Sequence, residues 1–241
     1  MNYQISEWNG FSCTEFTFDG MPAKLVKPNV PSSGKWALKT EYFGAFPETE
    51  IALLNRGWHL AWIQNENRWA EPADLKRKGE FIEFVSAEFG LSKKCALVGM
   101  SCGGLYAVKT AALYPELISV LYLDAPVMNL LSCPFALGKS QVSMAEEYFN
   151  FTGRTLKDML AYRDHPIDKM QALLQNDLPV VLVAGDSDTV VPYDENGLHL
   201  EKYYKANGGK IQVHIKKGGD HHPHGLPDLT PIVEFIEKNS E

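Results

Sequence analysis

The chain has 241 residues, of which 45% are hydrophobic and 22% are charged, and its formal net charge is −7. This length and composition are typical of a single globular domain with one large core. The acidic balance disfavours a nucleic-acid partner, because phosphate binding needs clustered Lys and Arg. No stretch approaches the roughly 18 apolar residues needed to span a bilayer, so we expect no membrane partner.

The four cysteines indicate a reducing compartment. Cys13, Cys95, Cys102 and Cys133 show neither a CxxC motif nor metal-ligand spacing, so we expect thiols and no metal site. The residues that follow Met1 have neither the basic start nor the apolar run of a signal peptide. Together these features predict a cytoplasmic protein.

Strand and helix patterns alternate along the chain. An opening hairpin is predicted because Thr14–Phe18 alternates, Asp19-Gly20 is a turn signal, and Ala23–Lys27 returns. Further strands are predicted at Trp36–Glu41, Trp58–Gln64, Cys95–Gly99, Ser119–Leu123, Pro179–Ala184 and Lys210–Ile215. Helices are predicted at Glu48–Asn55, Lys76–Glu88, Gly104–Leu113, Leu198–Ala206 and Thr230–Lys238.

This alternation predicts an α/β fold in one domain spanning residues 1–241. Continuous apolar strands separated by amphipathic helices are typical of a mostly parallel central sheet with helices on both faces. Residues 128–177 break the rhythm, because they hold helical patterns but no strand pattern between two predicted strands. We interpret them as a small helical cap insertion over the carboxyl ends of the strands.

The strongest local motif is the G-x-S-x-G sequence of residues 99–103. It follows the predicted strand and opens the next helix, which is the strand–turn–helix context in which this motif exposes a nucleophile. The glycines permit a sharp, strained turn that points the Ser101 hydroxyl out of the sheet. We therefore predict Ser101 as a catalytic nucleophile. Cys102 is the competing nucleophile, but the residue after such a serine points inward and supplies its backbone N–H instead.

A serine nucleophile needs a histidine base and a carboxylate that orients the base. Gly185-Asp186-Ser187-Asp188 follows one late strand, so either aspartate is a candidate acid. Gly218-Gly219-Asp220-His221-His222-Pro223-His224 follows the last strand. His221 is the preferred base and His222 the alternative. A metal-binding role for the histidine cluster is disfavoured, because no complementary Cys or His pair occurs elsewhere.

The chain resembles the α/β-hydrolase superfamily, in particular its single-domain esterases and prolyl-oligopeptidase-like serine hydrolases. Its members carry G-x-x-D-x-x-V-P after the penultimate strand, which Gly185, Asp188, Val191 and Pro192 match. The resemblance implies that Asp188 rather than Asp186 is the triad acid. It also implies that His221, at the end of a short glycine-rich stretch, is the base, and that the order is Ser, acid, His.

The remaining site residues are less marked in the sequence. The oxyanion hole is expected to use the backbone N–H of Cys102 together with that of Tyr42 or Phe43, because a second donor comes from the loop after the third strand. That loop lacks a His-Gly-Gly-Gly run. Asn65 and Trp69, after the fourth strand, and Arg163, in the predicted cap, are candidate substrate-binding residues.

These features predict a serine hydrolase that needs no cofactor and acts on a small-molecule carboxylic ester, with a carbohydrate ester as one option. An acyl-enzyme would form on Ser101. Two alternatives stay open. One is a peptidase or amidase of the prolyl-oligopeptidase type, since the same triad serves both reactions. The other is a non-catalytic binding protein that kept the fold. The sequence makes no prediction of oligomeric state.

Overall fold

A computed structural model describes residues 2–240 and contains one nine-stranded sheet. Along the chain its strands are β1 (Gln4–Trp8), β2 (Phe11–Phe18), β3 (Met21–Val26), β4 (Trp36–Lys39), β5 (His59–Ile63), β6 (Cys95–Met100), β7 (Ile118–Asp124), β8 (Val180–Gly185) and β9 (Ile211–Lys216). Their order across the sheet is β1-β2-β3-β5-β4-β6-β7-β8-β9. The first three strands pair antiparallel, as does β3 with β5, and the remaining pairs are parallel.

Eight α-helices accompany the sheet in the described part of the chain. They are α1 (Glu48–Leu54), α2 (Pro72–Phe89), α3 (Cys102–Leu113), α4 (Ala145–Thr152), α5 (Leu156–Leu160), α6 (Met170–Gln175), α7 (Gly197–Ala206) and α8 (Thr230–Lys238). Short 3₁₀ turns lie at Pro115–Leu117, Pro166–Lys169 and Tyr193–Glu195. The predicted α/β fold with a mostly parallel sheet is therefore confirmed.

Two apolar layers of the core lie on the two faces of the sheet, and a third buried cluster includes Tyr106 of α3. Helices α2, α3, α6 and α7 bury their apolar residues on one face, where Phe81 and Leu200 are fully enclosed. Helices α1 and α8 cover the other face with residues such as Leu54 and Ile236. Strands β6, β7 and β8 are buried along their whole length, because helices cover them on both sides.

The segment between β7 and β8 contains α4, α5 and α6. Ion pairs tie it to the rest of the domain, because Arg154 contacts Glu71 at 2.6 Å and Asp164 contacts Lys109 at 2.5 Å. The Lys109 side chain is almost completely buried, and its ammonium group needs the Asp164 carboxylate because an unpaired buried charge is costly. That residues 128–177 act as a cap stays a prediction.

The parallel arrangement determines where a functional site can form. Strands β4, β6, β8 and β9 point the same way, so the loops that follow them meet at one edge of the sheet. Ser101, Asp188 and His221 all lie in such loops. The sheet therefore brings together residues that are far apart in the sequence.

Candidate active site

Ser101 occupies a strained turn between β6 and α3. Its backbone has φ 53° and ψ −120°, a positive φ that a residue with a side chain rarely adopts. Glycines allow the close packing around it: a Cβ on Gly104 would lie 2.4 Å from the Cβ of Pro126, and one on Gly99 would lie 2.6 Å from the carbonyl oxygen of Gly103. The turn is fixed further because the Ser101 N–H donates to the carbonyl of Asp124 at 3.0 Å.

His221 lies directly beside this serine. Its Nε2 is 3.1 Å from Ser101 Oγ, and its Nδ1 is 2.8 Å from Asp188 Oδ2. The residue His221 is 5% exposed and Asp188 is 6% exposed, so the contacts are largely shielded from water. In this geometry Nδ1–H donates to the carboxylate, which leaves Nε2 to accept the serine proton. The structure thus brings the three predicted triad residues together, while their catalytic roles stay a prediction.

Asp188 is held in place by its own loop. Its Oδ1 accepts the backbone N–H groups of Val190 and Val191 at 2.8 and 2.7 Å. The second oxygen, Oδ2, is thereby directed toward His221. The two N–H donors fix the carboxylate and stabilise its charge in a buried position.

The neighbouring acids, Asp186 and Asp220, hold loops instead of orienting a base. Asp186 Oδ1 accepts the N–H of Gly218 at 2.7 Å. Asp220 Oδ1 accepts the backbone N–H of His221 at 2.8 Å and that of Thr189 at 3.2 Å. The donation from the His221 backbone lowers the pKa of the Asp220 carboxyl. Among the described residues, neither carboxylate makes a hydrogen bond to the His221 imidazole.

His222, the alternative base, stacks on Phe46 with the ring centroids 5.2 Å apart and the planes 14° from parallel. Partial burial lowers its pKa, and the adjoining His221 and His224 lower it further. It is a wall of the site, and it makes no hydrogen bond to Ser101 among the described contacts. The geometry therefore favours His221 as the base.

Cys102 lies at the first position of α3, where it is fully buried. Burial raises the pKa of its thiol to about 11, so it is protonated near neutral pH and is a poor nucleophile. Its backbone N–H belongs to the first turn of α3, whose donors have no acceptor within the helix. It therefore remains a candidate oxyanion donor.

We expect Cys102→Ala to keep kcat within about tenfold of the unaltered chain, because the side chain takes no part in the chemistry. Initial rates of substrate hydrolysis would measure this. A loss comparable to that of a nucleophile variant, in a chain that still folds, would make Cys102 the nucleophile.

A cavity of about 340 Å³ opens over Ser101. It is lined by Tyr42, Ala45, Phe46, Arg68, Met100, Ser101, Cys102, Val142, Met144, Val190, His221, His222 and His224. Such a volume is in the range of small-molecule sites. The walls are mainly apolar, and no Asp or Glu is among these residues.

The two oxyanion candidates from the loop after β4 separate in the structure. Tyr42 lines the cavity beside Ser101 and Cys102. Phe43 does not, because its ring packs between Trp8 and Trp62 at centroid distances of 5.2 and 5.3 Å. Both predictions concern backbone N–H groups and not side chains, so Tyr42 and Phe43 each stay a predicted partner for Cys102.

The three predicted substrate-binding residues do not line this cavity. Asn65 uses its amide to hold the loop after β4, donating to the carbonyl of Thr40 at 2.9 Å and to the Glu41 carboxylate. Trp69 is 1% exposed and packs edge-on against Tyr148. Arg163 is exposed and donates to the carbonyl of its neighbour Tyr162 at 2.7 Å.

Arg68 is a charged cavity residue that was not predicted from the sequence. It lies between Asn65 and Trp69 in the polar stretch of residues 64–69, and it lines the cavity. Its Nε contacts Glu147 of α4 at 2.9 Å. The polar composition of the stretch was a usable signal, but the sequence did not indicate which side chain turns inward.

Among residues 2–240, no group of three or more His, Cys, Asp or Glu side chains is arranged to hold a metal ion, and no helix is long and apolar enough to cross a membrane. In this described range the four cysteines are buried thiols.

Comparison with known proteins gives the family. The profile of the prolyl oligopeptidase family matches residues 58–239, which include all three candidate triad residues. The chain belongs to the prolyl oligopeptidase family. It has the α/β-hydrolase fold, as the resemblance in its motifs implied.

Three similar proteins illustrate the relationship. The rat acylamino-acid-releasing enzyme is 25% identical over 132 residues, which are 54% of this chain and 18% of that enzyme. An acylaminoacyl peptidase from Pyrococcus horikoshii superposes with a TM-score of 0.74 at 15% identity over 98% of this chain and 44% of its own. A puromycin-hydrolyzing peptidase from Mycobacterium tuberculosis superposes with a TM-score of 0.69 at 15% identity, over 90% of this chain and 36% of its own. The chain therefore spans less than half of each of these relatives.

The family match overturns the expected carboxylic-ester substrate. The family and the Pyrococcus and Mycobacterium enzymes are peptidases by name, which agrees with the alternative that the sequence had left open. The ester prediction was wrong because its motifs describe the nucleophile, base and acid, and the same triad attacks esters and amides.

Proposed function

We propose that this chain is a serine peptidase that cleaves an amide bond of a short peptide through an acyl-enzyme on Ser101. The hydrogen-bonded series Ser101–His221–Asp188 in a member of this family carries the proposal. Cleaving an amide requires a proton for the departing amine. His221 would supply the proton that it has just taken from the serine.

The mechanism follows from the positions of these groups. His221 Nε2 removes the Ser101 proton while Oγ attacks the carbonyl carbon, and the backbone N–H groups of Cys102 and Tyr42 stabilise the oxyanion. The imidazolium then protonates the amine, which leaves as the carbonyl re-forms on Ser101. Water, activated by the same imidazole, releases the acid. Asp188 remains ionised throughout and stabilises the imidazolium.

The charges around the cavity favour a peptide whose amino terminus is acylated. A free α-ammonium group would enter a cavity whose lining contains no carboxylate, and the nearby Glu147 carboxylate is already paired with Arg68 at 2.9 Å. The cation would then lose water without gaining an ion pair, which is costly. An acylated amino terminus is neutral and fits the apolar walls. The names of the rat and Pyrococcus enzymes point to the same substrate class.

The matched pair acetyl-alanine 4-nitroanilide and alanine 4-nitroanilide tests this proposal. We expect the acetylated compound to have the higher kcat/KM, by roughly 10- to 100-fold, because burying an unpaired polar group costs about 1–3 kcal/mol. Ser101→Ala serves as the blank. Preference for the free amine would contradict an acylated substrate, and failure to cleave either anilide or a short acetylated peptide would contradict peptidase activity.

A further inference from the structure

Asp124, at the end of β7, is a buried carboxylate that the proposed chemistry does not use. It is 0% exposed. Its Oδ1 contacts His224 Nδ1 at 2.8 Å, and its Oδ2 accepts the N–H of Gly225 at 2.6 Å and the hydroxyl of Tyr122 at 3.0 Å. A buried carboxylate is tolerated only when such donors replace its water. Two of the three donors come from the loop that carries His221.

The same residue also contacts the nucleophile. The backbone carbonyl of Asp124 accepts the N–H of Ser101 at 3.0 Å. Asp124 therefore joins two segments that have to meet within a few tenths of an ångström: the turn at Ser101 and the loop from Gly218 to Gly225. Strand β7 lies beside β6 in the sheet, which makes it a rigid support for this connection.

His224 is the link between this carboxylate and the base. Its ring centroid lies 5.0 Å from that of His221, with the planes 77° apart, so it packs edge-to-face against the catalytic imidazole. It also lines the cavity. With Nδ1 directed to Asp124, the ring cannot rotate without breaking that contact. Its Nε2 makes no hydrogen bond within the described residues.

We propose that Asp124 and His224 form a second imidazole–carboxylate pair that positions His221 against Ser101. The pair acts through the Nδ1 contact, which holds the loop and the His224 ring against which His221 packs. This inference relies on the proposed function only in assigning Ser101 and His221 as nucleophile and base. It predicts that the donor to Asp124 matters for turnover, while the cavity-facing Nε2 does not.

Asparagine and glutamine at position 224 separate the two nitrogens. An asparagine amide places a donor near the position of Nδ1 and has nothing at Nε2, whereas a glutamine amide reaches the Nε2 position and leaves Nδ1 empty. We expect His224→Ala and His224→Gln to lower kcat by roughly 10- to 100-fold with KM little changed, because small misplacements of a base have effects of this size. His224→Asn should restore most of kcat.

The rate at which a fluorophosphonate labels Ser101 should be measured beside kcat, with the thermal midpoint of each variant as a check on folding. Labelling rates that fall in the Ala and Gln variants and recover in the Asn variant support the proposal. Three results would overturn it. The first is an equal labelling rate in all three variants, and the second is a rate that follows the thermal midpoint alone. The third is a loss in His224→Asn that His224→Gln restores, which would mean that Nε2 contacts substrate.

Labelling requires only the nucleophile and base. A chain that is labelled but cleaves no peptide would therefore refute the proposed substrate and leave this comparison valid.

Discussion

Replacing Ser101 with alanine is expected to lower kcat for peptide-amide hydrolysis by about 10⁴- to 10⁶-fold, because loss of an activated nucleophile leaves only binding and oxyanion stabilisation. Binding should change little, since the hydroxyl is a small part of the cavity wall. Initial rates on acetyl-alanine 4-nitroanilide measure the effect.

Ser187→Ala is the matched control for this experiment. Ser187 is an exposed serine at the same edge of the sheet, and within residues 2–240 its hydroxyl donates to Asp186 alone, at 3.1 Å. It should retain the activity of the unaltered chain. Residual turnover in Ser101→Ala close to that of this control would show that another group attacks the substrate.

Asp188→Asn is expected to lower kcat by about 10⁴-fold, which is the size of the loss for the equivalent change in a serine protease. The asparagine Oδ1 can still accept the N–H groups of Val190 and Val191, so the loop should keep its position. Its amide nitrogen then faces His221 and donates where the carboxylate accepted. The imidazole would adopt the tautomer with the proton on Nε2, which cannot take a proton from Ser101.

Asp186→Asn and Asp220→Asn are the controls for that variant. Both retain a side-chain oxygen for the backbone N–H groups that they bind, and neither contacts the imidazole in the described structure. Their kcat should stay close to that of the unaltered chain. A large loss in Asp186→Asn together with an active Asp188→Asn would reverse the assignment of the acid.

The fold was largely predictable because burial leaves a strong periodic signal. Strands such as Val180–Gly185 are buried along their whole length and read as continuous apolar runs, and the glycines around Ser101 mark a turn that few other residues permit. Strand β1 had no such signal, since it lies at the sheet edge with four of its five residues exposed. Its pattern is accordingly polar.

The cavity was much less predictable from the sequence. Asn65, Arg68 and Trp69 share one short stretch, yet only Arg68 lines the cavity, because local backbone geometry decides the direction of each side chain. Val142 and Met144 reach the site from a distant segment that carries no motif. The Asp124–His224 contact likewise joins residues 100 positions apart, and in the sequence Asp124 is only a polar residue at the end of a strand.

The central claim is that Ser101 is an activated nucleophile in a peptidase site, and covalent labelling tests it most directly. The chain would be treated with a fluorophosphonate, with and without an acetylated peptide, and the adduct located by peptide mass spectrometry. The account predicts a single adduct on the peptide containing Ser101, slower formation in the presence of the acetylated peptide, and none in Ser101→Ala. An unlabelled chain, an adduct on another residue, or labelling that the peptide does not slow would contradict it.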